Sequence, residues 1–399
     1  MRALTWHGKH DVRVDTIPDP GLVNPRDAII EVTSTAICGS DLHLYDGVIP
    51  GMRPGDVLGH EFMGRVVDTG RSSTLRKGAR VVVPFTIACG GCAPCRRQQF
   101  SGCDNSNPVA NQDVSEELYG QPLSALFGYS HLTGGYAGGQ AEYVRVPFSD
   151  VGPIEIPDEI PDEQALFLSD ILPTGWMAAE NCDIAPGDSV AVWGAGPVGL
   201  FAAQSALLMG AGQVIVIDRW PGRLELARGL GAKVIDSARS HVLEALREMT
   251  GGEGPDAVID AVGMEAHGVA PDAWMDDLKQ AVGVGADKGH ALREALMAVR
   301  KGGRVSVPGV YGGFMDTFPM GALMEKGLQL RTGQTHVQRY LPDLLRRIQE
   351  GEIDTTFLIS HRLPLEEAPR GYAGFSGDRD AWTKVVLTPG AAPAPGGRG

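Results

Sequence analysis

Up to about Pro153 the chain reads as short runs of alternating apolar and polar residues, among them DAIIEVTSTAI, GRVVDTG, ARVVVPF and AEYVRVP, punctuated by Gly, Pro and Asp. An apolar side chain at every second position lines one face of a pleated strand, so these runs predict strands joined by turns. The opening MRALTWHGKHDVRVD reads as a further strand. From Cys103 to Gly139 the chain is rich in Gly, Ser and Asn without a clear period, which predicts a long loop. From about Asp188 the pattern changes. SVAVWGAG and GQVIVIDR are buried-strand runs, each followed by helical spacing, in PVGLFAAQSALLMGA and WPGRLELARGLGA. AKVID, DAVIDAVG and GGRVSVPGVYGG predict more strands. Strands alternating with helices imply a parallel sheet covered on both faces. A helix in QRYLPDLLRRIQEG and a closing strand in KVVLTP follow Thr335, and GAAPAPGGRG reads as a disordered tail over 390–399.

A chain of 399 residues is too long for one core and predicts two domains. The 49 acidic against 35 basic residues give a net charge of -14, which repels phosphate backbones and excludes a nucleic-acid partner as the expectation. No apolar run reaches the length of a membrane span or a signal core, so no membrane partner and a cytoplasmic location are expected. In that reducing setting, clustered cysteines point to metal rather than disulfides.

Four of the six cysteines fall in CGGCAPCRRQQFSGC, at Cys89, Cys92, Cys95 and Cys103. Two-residue spacers bring successive thiolates onto one tetrahedral zinc, and the longer gap lets the fourth return. Incidental thiols or redox chemistry at a CxxC pair are the alternatives. A four-thiolate site has no open position and is expected to be structural. Upstream, CGSDLH carries Cys38, Ser40, Asp41 and His43, and GHE carries His60 and Glu61. Alone, Cys38 could be core packing and His60 a satisfied histidine. Further on, GAGPVG follows SVAVW and opens an apolar helix, the context in which Gly194, Gly196 and Gly199 admit a pyrophosphate to a helix N-terminus. Asp218 closes VIVID, where a carboxylate hydrogen-bonds a ribose 2′-hydroxyl and favours NAD, although Arg219 beside it could pair with a 2′-phosphate.

In this order, CGSDLH, GHE, the cysteine lobe and GAGPVG resemble the zinc-containing medium-chain alcohol dehydrogenase superfamily over nearly the whole chain. The resemblance implies an α/β protein with a GroES-like, β-rich catalytic domain and a doubly wound, Rossmann-type cofactor domain. The expected bounds are 1–170, completed by 336–389, for the first, and 171–335 for the second. It implies two zinc ions per chain, the catalytic one held by Cys38, His60 and a third ligand. No cysteine stands at that third place. Asp170, in FLSDILPTGW, does, and this together with GGQAEYVRVP is similar to the glutathione-independent formaldehyde dehydrogenase branch. Asp170 could instead cap a helix.

By the same resemblance Ser40 holds the substrate hydroxyl and passes its proton through the cofactor ribose to a solvent-facing His43. Asp41 and Glu61 orient His60 or exchange briefly onto the metal, unless they form a salt bridge or turn. Thr174 and Val198 pack against the nicotinamide, or are helix-end packing, and Pro197, Arg219 and Arg223 join the cofactor-binding set. The expected reaction moves hydride between an alcohol or aldehyde hydrate, with formaldehyde the first candidate, and NAD, with NADP the lesser option. Aldehyde dismutation is an option if the cofactor stays bound. A dehydrogenase of a larger alcohol or polyol is the rival in the same superfamily, and a non-catalytic zinc and dinucleotide scaffold the rival from another class. A homodimer or homotetramer is implied. The residues around Tyr45 to Met52, the loop over 104–137 and the segment after Asp260 are expected to shape the substrate pocket, and the stretch 264–295 to cover the adenosine or meet a partner subunit.

Overall fold

Alternation becomes strands along the first part of the chain, in a computed structural model that describes residues 1–108, 112–263, 289–311, 315 and 317–390. The expected tail lies outside the described residues except for Gly390, as does most of 264–295. The chain divides into two compact units, Met1–Pro173 with Thr335–Gly399, and Thr174–Gln334.

In the first unit β1 (Arg2–Gly8) and β2 (Asp11–Thr16) form an antiparallel hairpin where one strand was expected, and β4 (Asp56–Val57) extends it. The larger sheet is built on β3 (Ala28–Ile37), with β5 (Glu61–Thr69), β6 (Arg80–Val83), β7 (Tyr143–Val146) and β8 (Ile154–Glu155). The second unit contributes β9 (Ser189–Trp193), β10 (Gln213–Asp218), β11 (Lys233–Asp236), β12 (Ala257–Asp260), β13 (Arg304–Val307) and β14 (Gln329–Thr332). The chain then returns to the first sheet as β15 (His361–Pro364) and β16 (Val385–Thr388).

Register decides what the first sheet can hold. β3 lies between β5 and β16 and is antiparallel to both, with Ala36 opposite Glu61 on one side and Val386 on the other. The end of β3, the start of β5 and the start of β16 therefore meet at one edge. Cys38, His60, Glu61 and Lys384 stand in or next to those three places. Beneath them Ile37, Leu42, Leu58, Tyr372 and Val385 pack as a core that admits almost no water. Gly64, at the middle of β5, has no room for a side chain, because a Cβ would collide with the carbonyl oxygen of Glu31 in β3.

The second sheet has the order β11-β10-β9-β12-β13-β14, parallel throughout, which is the doubly wound arrangement. Ile215, Val258, Leu292 and Val305 fill the core of this unit. In such sheets the ligand crevice opens at the carboxyl ends of the strands where the order reverses, here beside β9 and β12. The fold class is the one expected, a β-rich unit and a parallel-sheet unit.

Local structure also differs from or adds to the expected pattern elsewhere. The stretch after Cys103 is not wholly loop, since Gln112–Tyr119 is helical and His131–Thr133 makes a 3-10 turn. β14 and β15 were unseen in the pattern, being four residues long and mostly polar or exposed. The helix Ala368–Gly377 was also unseen, because three glycines mask it, yet its buried residues Ala368, Gly371, Tyr372 and Phe375 keep helical spacing. The part of 264–295 that is described ends in the helix His290–Ala298.

Gly64→Ala is expected to destabilise the first unit by about 1–3 kcal/mol through overpacking of two adjacent backbones. Thermal unfolding checks this, with a lowered midpoint expected.

Candidate active site and metal centre

The helix Gly39–Tyr45 begins where β3 stops. Cys38 takes the N-cap position, and its backbone N–H donates to Oδ2 of Asp41 at 2.9 Å. A carboxylate three residues into a helix favours the positive helix end. That turn exposes the Cys38 thiol toward the start of β5. Gly59 precedes His60 with φ +96, in the left-handed region, and Gln140 fills the space a Cβ there would need. The glycine therefore sets the direction in which His60 leaves the chain.

The thiol, the imidazole and a carboxylate converge. Cys38 Sγ lies 3.6 Å from Asp170 Oδ2, and His60 Nε2 lies 3.2 Å from the same oxygen. Together with a Glu61 oxygen these ligand atoms all fall within 4.8 Å of one another, and all four residues are buried. Tetrahedral zinc with bonds of about 2.3 Å to sulfur and about 2.0–2.1 Å to nitrogen and oxygen requires edges of about 3.5 Å for S···O and about 3.3 Å for N···O. The observed separations match, so the donor set fits a zinc ion. Ser40 Oγ is 3.3 Å from His60 Nε2, which puts its hydroxyl at the same corner. The rings of Phe85 and Tyr129 stand edge-on to His60, with centroids 6.0 and 6.3 Å away.

Electrostatics point the same way. Burial pushes the Cys38 thiol up to about 11, with Glu61 adding to the rise. Burial works against a charged His60, but Asp41 and Cys38 outweigh it and hold the imidazole well above its ordinary value. Both shifts favour the protonated forms of Cys38 and His60 when no metal is bound, and a bound cation would displace those protons. On the far side of the ring, His60 Nδ1 lies 3.0 Å from Asp41 Oδ1. A carboxylate at Nδ1 fixes the tautomer that leaves Nε2 for a metal.

Around this corner sit three polar residues that the motif reading did not single out. Gln140 is fully buried and donates from Nε2 to the Ala36 carbonyl at 3.1 Å and to Asp41 Oδ2 at 3.4 Å. Tyr372 donates to Gln140 Oε1 at 2.8 Å. Lys384 and Glu61 form an ion pair, both with 0% side-chain exposure, at 2.7 Å from Nζ to Oε1 and 2.6 Å to Oε2. Removing one member of such a pair strands a buried charge and typically costs about 3–5 kcal/mol. A lysine directly before the uniformly apolar VVL was the available sign.

One expected placement is corrected. His43 does not face solvent: it is 8% exposed, between buried Leu42 and Leu44, because the short helix packs most of its length inward.

In the cysteine lobe Cys92 and Cys103 place their sulfurs 3.9 Å apart, close to the edge of about 3.8 Å for tetrahedral thiolates on zinc. All four sulfurs lie within 4.8 Å of one another. Burial would raise the Cys89 thiol, but N–H groups from Gly91 and Asn105 bring it down to about 6. Arg26 pins the lobe, donating to the Cys89 carbonyl at 2.9 Å and to Asp150 at 2.7 Å.

In the second unit, Gly194 and Gly196 lie in the turn between β9 and the helix Pro197–Leu208, whose first turn holds Pro197, Val198 and Gly199. Gly194 has φ +93, and a Cβ on Gly199 would strike the Gly194 carbonyl oxygen. Asp218, at the tip of β10, accepts from Ala195 N at 2.6 Å, and from Arg219 N and Trp220 N at 2.6 and 3.1 Å. The carboxylate thus stands against the glycine turn. Arg223 is buried with Nη1 3.7 Å from the position a Gly196 Cβ would take, whereas the Arg219 guanidinium lies over the Trp220 ring at 5.4 Å. Thr174 is buried on the helix Ile171–Glu180.

Known proteins are similar to this chain in sequence and fold. Residues 24–158 match the alcohol dehydrogenase GroES-like domain and residues 197–286 the zinc-binding dehydrogenase model. An uncharacterized zinc-type alcohol dehydrogenase-like protein of Bacillus subtilis is 44% identical over 397 residues, covering 98% of this chain and all (100%) of the relative. A glutathione-independent formaldehyde dehydrogenase of Bacillus subtilis is 35% identical, covering 97% of each chain. Among solved structures, an alcohol dehydrogenase from Thermus sp. ATN1 superposes with a TM-score of 0.82 at 39% identity, covering 98% of this chain and 100% of that one.

Two outcomes are expected. Cys95→Ser should release one zinc per chain by elemental analysis and lower the thermal midpoint, because the lobe has little apolar packing besides its metal. Asp41→Asn should weaken zinc retention at the other site by about 10–100-fold in a chelator competition, since the partner of His60 Nδ1 is altered.

Proposed function

The chain belongs to the zinc-containing medium-chain alcohol dehydrogenase superfamily, in its formaldehyde dehydrogenase-like branch, and from that premise we propose that it oxidises formaldehyde hydrate, or a similarly small alcohol, with NAD. It is an NAD(P)-dependent oxidoreductase of the zinc type. The observation that carries the finer reading is Asp170, whose carboxylate completes the corner with Cys38 and His60 where a thiolate was absent. Two aromatic rings within about 6 Å of the His60 ring, those of Phe85 and Tyr129, support a small substrate.

Cys38, His60 and Asp170 would hold a zinc ion, which would supply polarisation of the substrate oxygen, and NAD would supply the hydride acceptor. The protein's own groups do the rest. Asp41 holds His60 in the tautomer that presents Nε2, and Gln140 and Tyr372 hold Asp41. Ser40, at the metal corner, takes the substrate hydroxyl proton. His43, one helical turn along, receives that proton by way of the cofactor ribose and is left as the imidazolium; its side chain is buried. Gly194, Gly196, Pro197 and Gly199 admit the pyrophosphate to the helix N-terminus, Arg223 adds positive charge beside that turn, and Thr174 and Val198 take the nicotinamide side. Asp218 accepts from the ribose hydroxyls and repels a 2′-phosphate. Arg219 is engaged over Trp220, which supports NAD over NADP. A cytoplasmic homodimer or homotetramer is part of the same proposal; among the described residues no helix is long and apolar enough to cross a membrane.

A screen of formaldehyde, short alcohols, and aromatic and polyhydroxy alcohols, read as nicotinamide reduction, tests the substrate. The highest kcat/KM is expected for formaldehyde, and turnover of bulky alcohols alone would reject it while keeping the class. Asp218→Ala should erode the preference for NAD over NADP by roughly 10–100-fold, the worth of a hydrogen bond to a charged group; an unchanged ratio would reassign the discriminating residue.

A further inference from the structure

Glu61 presents a difficulty for a working metal corner. Its carboxylate is one of the four groups whose ligand atoms lie within 4.8 Å of one another, and it is completely buried. A dication held by the Cys38 thiolate and the Asp170 carboxylate is already neutral in sum, and His60 completes three protein ligands. Catalytic zinc keeps its fourth position for substrate or water; a second carboxylate there would close the site. A buried anion turns to whatever cation is nearest.

The nearest cation on the protein comes from a strand far away in sequence. Lys384 enters at the start of β16, on the opposite side of β3 from Glu61, and reaches both carboxylate oxygens, at 2.7 and 2.6 Å. Its ammonium is fully buried as well, 5.6 Å over the ring of Phe167, which is itself buried. The phenyl face and the carboxylate hold the charge in one place.

We propose that Lys384 is a positioning residue that holds the Glu61 carboxylate off the metal corner and so keeps one coordination position open to substrate. The inference rests on Cys38, His60 and Asp170 being the metal ligands. With Lys384 present, the Glu61 charge is matched and both oxygens are occupied without the metal. With a neutral side chain in its place, the cation that remains within reach of Glu61 is the one at Cys38, His60 and Asp170, and Glu61 becomes its fourth ligand.

The test uses the full chain loaded with cobalt and titrated with imidazole, followed by the visible d–d bands. Wild type is expected to hold two cobalt ions and bind imidazole at the open position. Lys384→Met should hold two and bind imidazole at least tenfold more weakly. Lys384→Met with Glu61→Gln, which replaces the ion pair by a neutral one, should return to within twofold of wild type. Wild-type imidazole affinity in the single variant, or failure of the double variant to recover it, overturns the proposal. Should the single variant not fold, the double variant decides: affinity within twofold of wild type supports the proposal, and a tenfold change in either direction overturns it. A wild-type chain that takes up one cobalt instead of two overturns the ligand reading and this proposal with it, whereas two cobalt ions with unaltered affinity in Lys384→Met overturn the proposal alone.

Discussion

The first unit is organised around buried charge that has to be matched. At one edge of its larger sheet, the end of β3 and the starts of β5 and β16 bring together Cys38, His60, Glu61 and Lys384, with Asp41 and Asp170 packed against them and every side chain of the set buried. Burying carboxylates without partners is prohibitive. Here Lys384 answers Glu61, and Asp41 faces His60. The thiol of Cys38, the carboxylate of Asp170 and Nε2 of His60 share a space whose edges suit a tetrahedral dication. The surrounding structure follows from this need: Gly59 in a left-handed turn to aim His60, Gln140 filling the place of its missing side chain, and Tyr372 reaching in from the C-terminal helix.

The two candidate metal sites differ in kind. The cysteine lobe has little apolar material, so its thiolates, the N–H groups that meet Cys89 and the Arg26 anchor stand in for a core. It is closed and can only hold structure. The corner at Cys38 offers three candidate ligands in Cys38, His60 and Asp170, with the Ser40 hydroxyl alongside and the Glu61 carboxylate paired with Lys384. That difference, a closed set of four against an open set of three, separates a structural ion from a catalytic one.

Much of this was legible along the chain because period and spacing are local. The 2-residue alternation in DAIIEVTSTAI, the glycines after SVAVW and the CxxC spacing each need only a few neighbouring residues to be read. Asp170 was singled out as a candidate because no cysteine stands at the third ligand place that the family resemblance implies. Lys384, Gln140 and Tyr372 were not, since each matters only through a partner more than ninety residues away, across sheet pairings that spacing does not encode. The helix carrying Tyr372 was hidden by its glycines, one of which, Gly371, allows close approach to Ile37. The solvent-facing His43 came from the family resemblance, and the packing of the seven-residue helix Gly39–Tyr45, which buries Leu42, His43 and Leu44, could not be read from that.

Zinc content of the Asp170→Ala chain, measured beside wild type after dialysis, tests the central claim most directly. Two zinc ions per wild-type chain and one per variant chain, with the secondary structure intact by circular dichroism and hydride transfer abolished, is the predicted result. A variant that keeps both zinc ions and its activity would show that Asp170 is not a ligand and contradict the account.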